Sequence, residues 1–237
     1  MKRALELFSG THSFAKVVQP QGYEVVSVDI TDYKGKHPVT HKVDIMEFDY
    51  RQYPTDHFDI IWASPPCIYY SRLQNSWLGR AKKNGEILTK ELLEEKRIMS
   101  DELVRKVLEI KDYFNPRLWF MENPATGCLK TREVVKDIDY YDVDYCKYSD
   151  WGYKKTTRIW TNRKGFEPKR CKQDCPHIIK VKVEGKSKTI HASNCGNSSQ
   201  SKWSKTHAKT MSSVGGGSSR LKRYRVPPKL INELVFF

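Results

Sequence analysis

Residues 3–14 read RALELFSGTHSF, an apolar run of strand type that opens through Ser9-Gly10 into the start of a helical stretch. Strand, glycine turn and helix in that order put backbone N–H groups at the carboxyl end of a strand, where a polar ligand can be received. The next apolar run ends in Asp29, about 20 residues on, and a carboxylate there suits the ribose hydroxyls of a nucleoside cofactor. A third run closes with Asp44-Ile45. Acidic residues at successive strand tips fit a ligand lying across the carboxyl edge of an open parallel sheet.

Working outward, short apolar runs alternate with amphipathic stretches, which is the pattern of an α/β domain. Strands are expected at 3–8, 24–29, 42–45, 58–63, 117–122, 140–145 and 157–161. Between the fourth and fifth lies 88–114, where Leu92, Met99, Leu103, Val107, Ile110 and Phe114 recur at spacings of three, four and seven. That spacing gives one long helix with an apolar face, ended by Asn115-Pro116 because proline disfavours the helical conformation in the residue before it. VPPKLINELVFF at 226–237 offers prolines at a helix start, with Leu230, Ile231, Leu234 and Val235 able to dock on the core.

The fourth strand delivers Ser64-Pro65-Pro66-Cys67 to the same sheet edge. Two prolines stiffen the turn, so the thiol is held rigidly at the mouth of the sheet, as a nucleophile requires. The fifth strand, LWFMENP, ends in Glu122-Asn123-Pro124 beside that loop. Burial favours the neutral form of a carboxyl group, which suits a proton donor; capping of the following segment is the competing role. Arg158, on the short strand TTRIWT with apolar neighbours, needs an anionic or carbonyl partner.

The charge is unevenly placed. Of the formal +14, residues 163–225 carry 16 Lys/Arg against 3 Asp/Glu, whereas residues 1–162 carry 25 against 24. A basic segment that also holds Asn194, Gln200 and Trp203 is expected to touch a polyanion, in preference to being a solvated loop. Three regions follow: a catalytic domain at 1–162, the basic segment at 163–225, with SSVGGGSS at 212–219 as a flexible stretch, and a returning helix at 226–237. No run approaches the roughly 20 apolar residues of a membrane span, and the N-terminus has no signal-peptide pattern, so an intracellular, soluble monomer with reduced thiols is expected. Cys171, Cys175 and Cys195 with a histidine are compatible with a structural zinc, and equally with reduced surface thiols. The spacing is irregular, and His177, His191 and His207 compete as the fourth ligand; if zinc is bound, Cys171, Cys175, His191 and Cys195 are the expected set.

ELFSG, Asp29, Asp44, SPPC, MENP and GYKKTTRIW together resemble, in order and spacing, the motif series of the C5-cytosine DNA methyltransferases, and the compact forms of large DNA viruses and phages look most similar. The resemblance covers residues 3–162 and resumes at Val226–Leu234. It implies a Rossmann-like S-adenosylmethionine (SAM)-dependent methyltransferase fold with a mostly parallel sheet and a small basic C-terminal insertion. Phe8, Ser9, Gly10 and Thr11 would surround the methionine end of SAM. Asp29 and Ile30 would hold its ribose and adenine, Asp44 the adenine amino group, with Ile45 and Pro65 completing the site. Cys67 would be the nucleophile toward cytosine C6, Glu122 the group at N3 and Arg158 the group at O2, with Ser64, Pro66, Asn123 and Pro124 shaping the base pocket. The partner implied is DNA, in the cytoplasm or nucleus of a host cell for a viral protein. A tRNA cytosine methyltransferase and a catalytically silent nucleic-acid- or SAM-binding module are the alternatives.

The chain departs from the family pattern in three places. His12 and Ser13 stand where the family usually has two glycines, Lys155-Thr156-Thr157-Arg158 keeps only the second arginine of the usual Gln-x-Arg-x-Arg, and no large target-recognition domain is present. Short or loose sequence specificity is the expectation.

Overall fold

The computed structural model describes residues 1–81, 85–183, 186–194, 212–213 and 224–236. Seven strands form one sheet: β1 (Lys2–Leu7), β2 (Tyr23–Asp29), β3 (His41–Lys42), β4 (Ile60–Ala63), β5 (Leu118–Pro124), β6 (Tyr140–Asp144) and β7 (Thr156–Thr161), in the order β3-β2-β1-β4-β5-β7-β6. Only β7 runs against the others, paired antiparallel with β5 on one side and β6 on the other. The strand order reverses direction between β1 and β4, which opens a crevice at their carboxyl ends.

One face of the sheet is covered by α2 (Lys90–Phe114), the other by the single turn α1 (Ala15–Val18) and by α3 (Pro228–Phe236). Thr89 caps α2 by accepting from the Leu92 N–H, and Asn115 ends it in the left-handed conformation (φ 45°) ahead of Pro116. The helix spans the expected residues, but its buried face is rotated from the expected one. Leu93, Ser100, Asp101, Val104, Val107, Ile110 and Phe114 point inward, whereas Met99 is 69% exposed. The cause is polar: Asp101 accepts a hydrogen bond from the Tyr70 hydroxyl (2.8 Å) and pairs with Arg132, so two polar residues occupy core positions that an apolar count passes over. The third strand is also shorter and earlier than expected, because Asp44 turns the chain by accepting from the Met46 N–H.

As expected, α3 buries Leu230, Ile231, Leu234 and Val235, which pack with Phe14 and Val18 beneath the sheet. Val226 anchors its approach by donating its N–H to Ser13 Oγ (3.2 Å), a contact across 213 residues of chain. Beyond β7, β8 (Ile178–Val183) and β9 (Lys186–His191) form an antiparallel hairpin. Ser212–Ser213 make a two-residue strand with Ser193–Asn194. The rest of the 212–219 stretch, together with Cys195, Gln200, Trp203 and His207, lies outside the described residues.

Candidate active site

The crevice is a cavity of about 390 Å³ at the carboxyl ends of β1, β2, β4 and β5. Its floor is the loop after β1, in which Phe8, Gly10 and His12 all have φ between 51° and 56°. Asp29 ties this loop to the end of β2: its Oδ2 accepts from the Gly10 N–H (2.9 Å) and its Oδ1 from the Thr31 N–H (2.9 Å). From below, Glu6 on β1 accepts from the Phe14 N–H (3.0 Å) and faces His12 Nδ1 at 3.5 Å. His12 thereby stands against a carboxylate that is only 2% exposed. The pair holds its proton more tightly than the unfolded chain does, because Glu6 stabilises the imidazolium and burial disfavours a bare carboxylate.

Phe8, Ser9, Gly10, Thr11, Asp29, Ile30, Asp44, Ile45 and Pro65 all line this cavity, as do Ser64, Pro66, Asn123, Pro124, Cys67 and Glu122. The SPPC loop is locked onto β5 by Asn123, whose Nδ2 donates to the Pro65 carbonyl (2.9 Å), and onto β1 by the Ser64 N–H donating to Leu7 O (3.2 Å). Beyond Cys67 the chain passes so close to the turn after β5 that a Cβ at Gly127 would meet the Pro124 and Tyr70 carbonyls at 3.2 Å. The thiol is thus fixed from both sides. Burial pushes the Cys67 thiol pKa up, the Lys155 ammonium pulls it partly back and the Glu122 charge raises it again.

Arg158 is not on the cavity wall. Its Nε and Nη2 donate to Asp142 Oδ1 and Oδ2 (2.8 and 3.0 Å), and its guanidinium lies 3.4 Å from the centre of the Tyr140 ring. It remains beside the site through β7, where it is the register partner of Asn123. Lys155, Tyr33, Tyr224 and Val226 line the cavity without having been singled out from the sequence. For Lys155 the signal was available, since it sits within the altered Gln-x-Arg-x-Arg stretch. Val226 opens the closing segment where the resemblance resumes, and nothing local marked Tyr33 or Tyr224.

Among the described residues, Ser9 Oγ, Glu122 Oε2 and Asn123 Oδ1 are buried polar atoms of the cavity wall with no hydrogen-bond partner in the protein. Buried polar atoms are almost always satisfied, so these three are places where a bound ligand would be held. One wall of the cavity is therefore suited to a nucleoside, with Asp29, Asp44 and the exposed side chain of Ile30. The same cavity presents the Cys67 thiol and the Glu122 carboxyl group, close enough to act on one another electrostatically.

Away from this cavity, Cys171, Cys175 and His191 are brought together among the described residues, joined by Cys146; Cys195 lies outside the described residues. No helix among the described residues is long and apolar enough to cross a membrane.

No protein-family model matches the chain. Among solved structures it is similar to the methyltransferase EhMeth of Entamoeba histolytica (13% identity, TM-score 0.47, 72% of this chain and 56% of that one). It is also similar to the Dnmt2 methyltransferase of S. pombe (14% identity, TM-score 0.44, 73% and 53%). This chain spans little more than half the length of either. Far greater similarity in sequence is found to a protein of Frog virus 3 (isolate Goorha) described as a probable DNA (cytosine-5)-methyltransferase: 38% identity over 237 residues, covering 98% of both chains. With that identity over essentially the whole length, and with the motif series gathered around one cavity, the chain belongs to the DNA (cytosine-5)-methyltransferase family.

Proposed function

We propose that this protein transfers a methyl group from SAM to carbon 5 of cytosine in DNA through a covalent Cys67 adduct. The observation that carries the reading is the meeting, in one cavity, of the Cys67 thiol, the buried Glu122 carboxyl group and the Ser9–Thr11, Asp29 and Asp44 wall. When bound, SAM supplies an electrophilic methyl group. Phe8, Ser9, Gly10 and Thr11 would hold its methionine end, Asp29 its ribose hydroxyls, and Ile30 and Asp44 its adenine.

Cytosine C5 is a poor nucleophile, and Cys67 and Glu122 change that. The Cys67 thiolate forms a bond to C6 while Glu122 delivers a proton to N3, so the electrons of the C5–C6 double bond become available at C5 for the incoming methyl. Removal of the C5 proton by a base then re-forms the double bond and expels the thiolate while the N3 proton returns to Glu122, so that both side chains regain their starting states and S-adenosylhomocysteine is left as the co-product. Asn123, by fixing the Pro65 carbonyl, keeps the thiol in register with Glu122. Arg158, which stands beside the cavity paired with Asp142, would turn its guanidinium toward the flipped base to hold the cytosine O2. The target base must be flipped out of the duplex to reach the cavity, at a cost of a few kcal/mol. Phosphate contacts by the basic segment at 163–225 offset part of that.

The test is mechanism-based trapping. DNA carrying 5-fluorocytosine, incubated with SAM, should give a denaturation-resistant complex with the wild type, because fluorine cannot leave as a proton does. Cys67→Ala should give none while still binding SAM. An adduct formed equally by Cys67→Ala, or 5-methylcytosine made by that variant, would overturn the reading. Trapping on tRNA but not on duplex DNA would reassign the substrate.

A further inference from the structure

We propose that Cys146, Cys171, Cys175 and His191 bind a structural zinc ion that fastens the basic hairpin to the edge of the catalytic sheet. The four ligand atoms lie within 4.8 Å of one another, and they are the group among the described residues that gathers three thiols and an imidazole. They come from three places: Cys146 from the turn after β6, Cys171 and Cys175 from the loop after β7, and His191 from the last position of β9.

Three observations point to a metal and not to ordinary packing. First, Cys171 Sγ and His191 Nε2 are 3.5 Å apart. A tetrahedron with Zn–S of about 2.3 Å and Zn–N of about 2.0–2.1 Å has an S···N edge of about 3.5 Å. Second, the hairpin brings little apolar interior of its own: among its described side chains only Val181 is buried, with Ile178, Ile179 and Ile190 half-buried. The buried cluster at its base consists of the three cysteines, 3–6% exposed, with Ile178 packed against them. A two-stranded hairpin is at best marginally stable in water, and three thiol groups in van der Waals contact bury too little apolar surface to hold one. Zinc bound by three thiolates and an imidazole supplies that stability directly.

Third, the surroundings suit the charge. Three thiolates, a neutral imidazole and Zn²⁺ sum to a net negative charge, and two lysines stand beside the cluster. Lys154 Nζ donates to the Cys171 carbonyl (3.0 Å), and Lys147 stands over the same loop, paired with Asp174 (2.9 Å). The Cys171 N–H is fixed by Asp144 Oδ2 (2.8 Å), which orients the sulfur. His177 is placed elsewhere: its Nε2 contacts the Ser149 carbonyl at 2.9 Å. The ligand set therefore takes its third thiol from the catalytic domain, so the metal joins two regions of the chain instead of folding one of them alone.

The inference is independent of the methyl-transfer reading and is tested without it. Full-length protein carrying no histidine tag, produced with zinc available, should contain about one zinc per chain. Three of its six thiols should resist alkylation until a mercurial releases the metal. Cobalt substituted for zinc should show the sulfur-to-metal charge-transfer band and the intense visible bands of a tetrahedral, thiolate-rich site. Cys146→Ser should lose the metal, whereas Cys195→Ser and His177→Ala should retain it. Zinc well below stoichiometry with six freely reacting thiols, or loss of metal in Cys195→Ser with retention in Cys146→Ser, overturns the assignment. Because the wild-type metal content and cobalt spectrum need no variant, a misfolded Cys146→Ser protein leaves the test intact.

Discussion

At the residue scale, the reactivity of Cys67 is set by two neighbours of opposite sign. Burial holds the thiol protonated, Lys155 favours the thiolate and Glu122 opposes it. Lys155→Met should therefore raise the thiol pKa further and slow alkylation of Cys67 severalfold near neutral pH. Glu122→Gln should speed that alkylation while slowing methyl transfer by about 10²–10⁴-fold, as expected on loss of a general acid. Peptide-resolved iodoacetamide labelling against pH measures the first effect and turnover the second. Faster labelling in Lys155→Met would remove the ammonium from the account. Cys67 and Glu122 were legible in the sequence because each ends an apolar strand at the carboxyl edge. Arg158 was legible as a charge in need of a partner, but Asp142, two positions from the end of β6, supplies that partner through pairing no local pattern announces.

His12 makes a second residue-scale case. Its folded pKa lies above the usual histidine value of about 6.5, so the stability it contributes is fully present below that pH and is lost as pH rises through the folded value. As pH rises above about 6.5, the wild type should lose melting temperature more steeply than His12→Gln, whose remaining slope reports other groups. Parallel slopes in a melting series would show that the Glu6–His12 contact does not carry a proton.

At the scale of elements, the strands of the main sheet other than β3 were placed from sequence to within two residues because each is an apolar run ending in a polar turn, whereas β8 and β9 were not expected in the basic segment. Helix α2 was placed in length but not in rotation, since Ser100 and Asp101 sit on its buried face. Asp101 binds Tyr70, three residues beyond Cys67, and pairs through Oδ2 with Arg132 Nε (2.9 Å), so it joins α2, the catalytic loop and the turn after β5. Asp101→Ala leaves the Arg132 guanidinium partly buried and short of a partner, and should cost about 3 kcal/mol. Urea unfolding measures that, and adding Arg132→Met should recover part of it. A loss below about 0.5 kcal/mol would place this pair with ordinary surface ion pairs.

At the scale of the molecule, the charge asymmetry read from composition acquires a location. Lys180, Lys186 and Lys188 stand exposed on the β8–β9 hairpin. If this ribbon lies along a phosphate backbone, replacing all three by Gln should reduce the slope of log K against log salt by up to about 0.9 for each phosphate no longer neutralised. An unchanged slope would make the hairpin a solvated face. What composition did not disclose is how the ribbon is attached, because Cys146 belongs by sequence to the catalytic domain and meets Cys171 and Cys175 only in three dimensions.

The packing of α3 against Phe14 and Val18 also fixes an order of events during synthesis. The loop after β1 leaves the ribosome early, yet the helix that shelters its underside is more than 200 residues downstream, as the Ser13–Val226 contact measures. At roughly 5–20 residues per second, that apolar surface waits about 10–40 s for its cover, and the nascent chain must be guarded from aggregation over that interval.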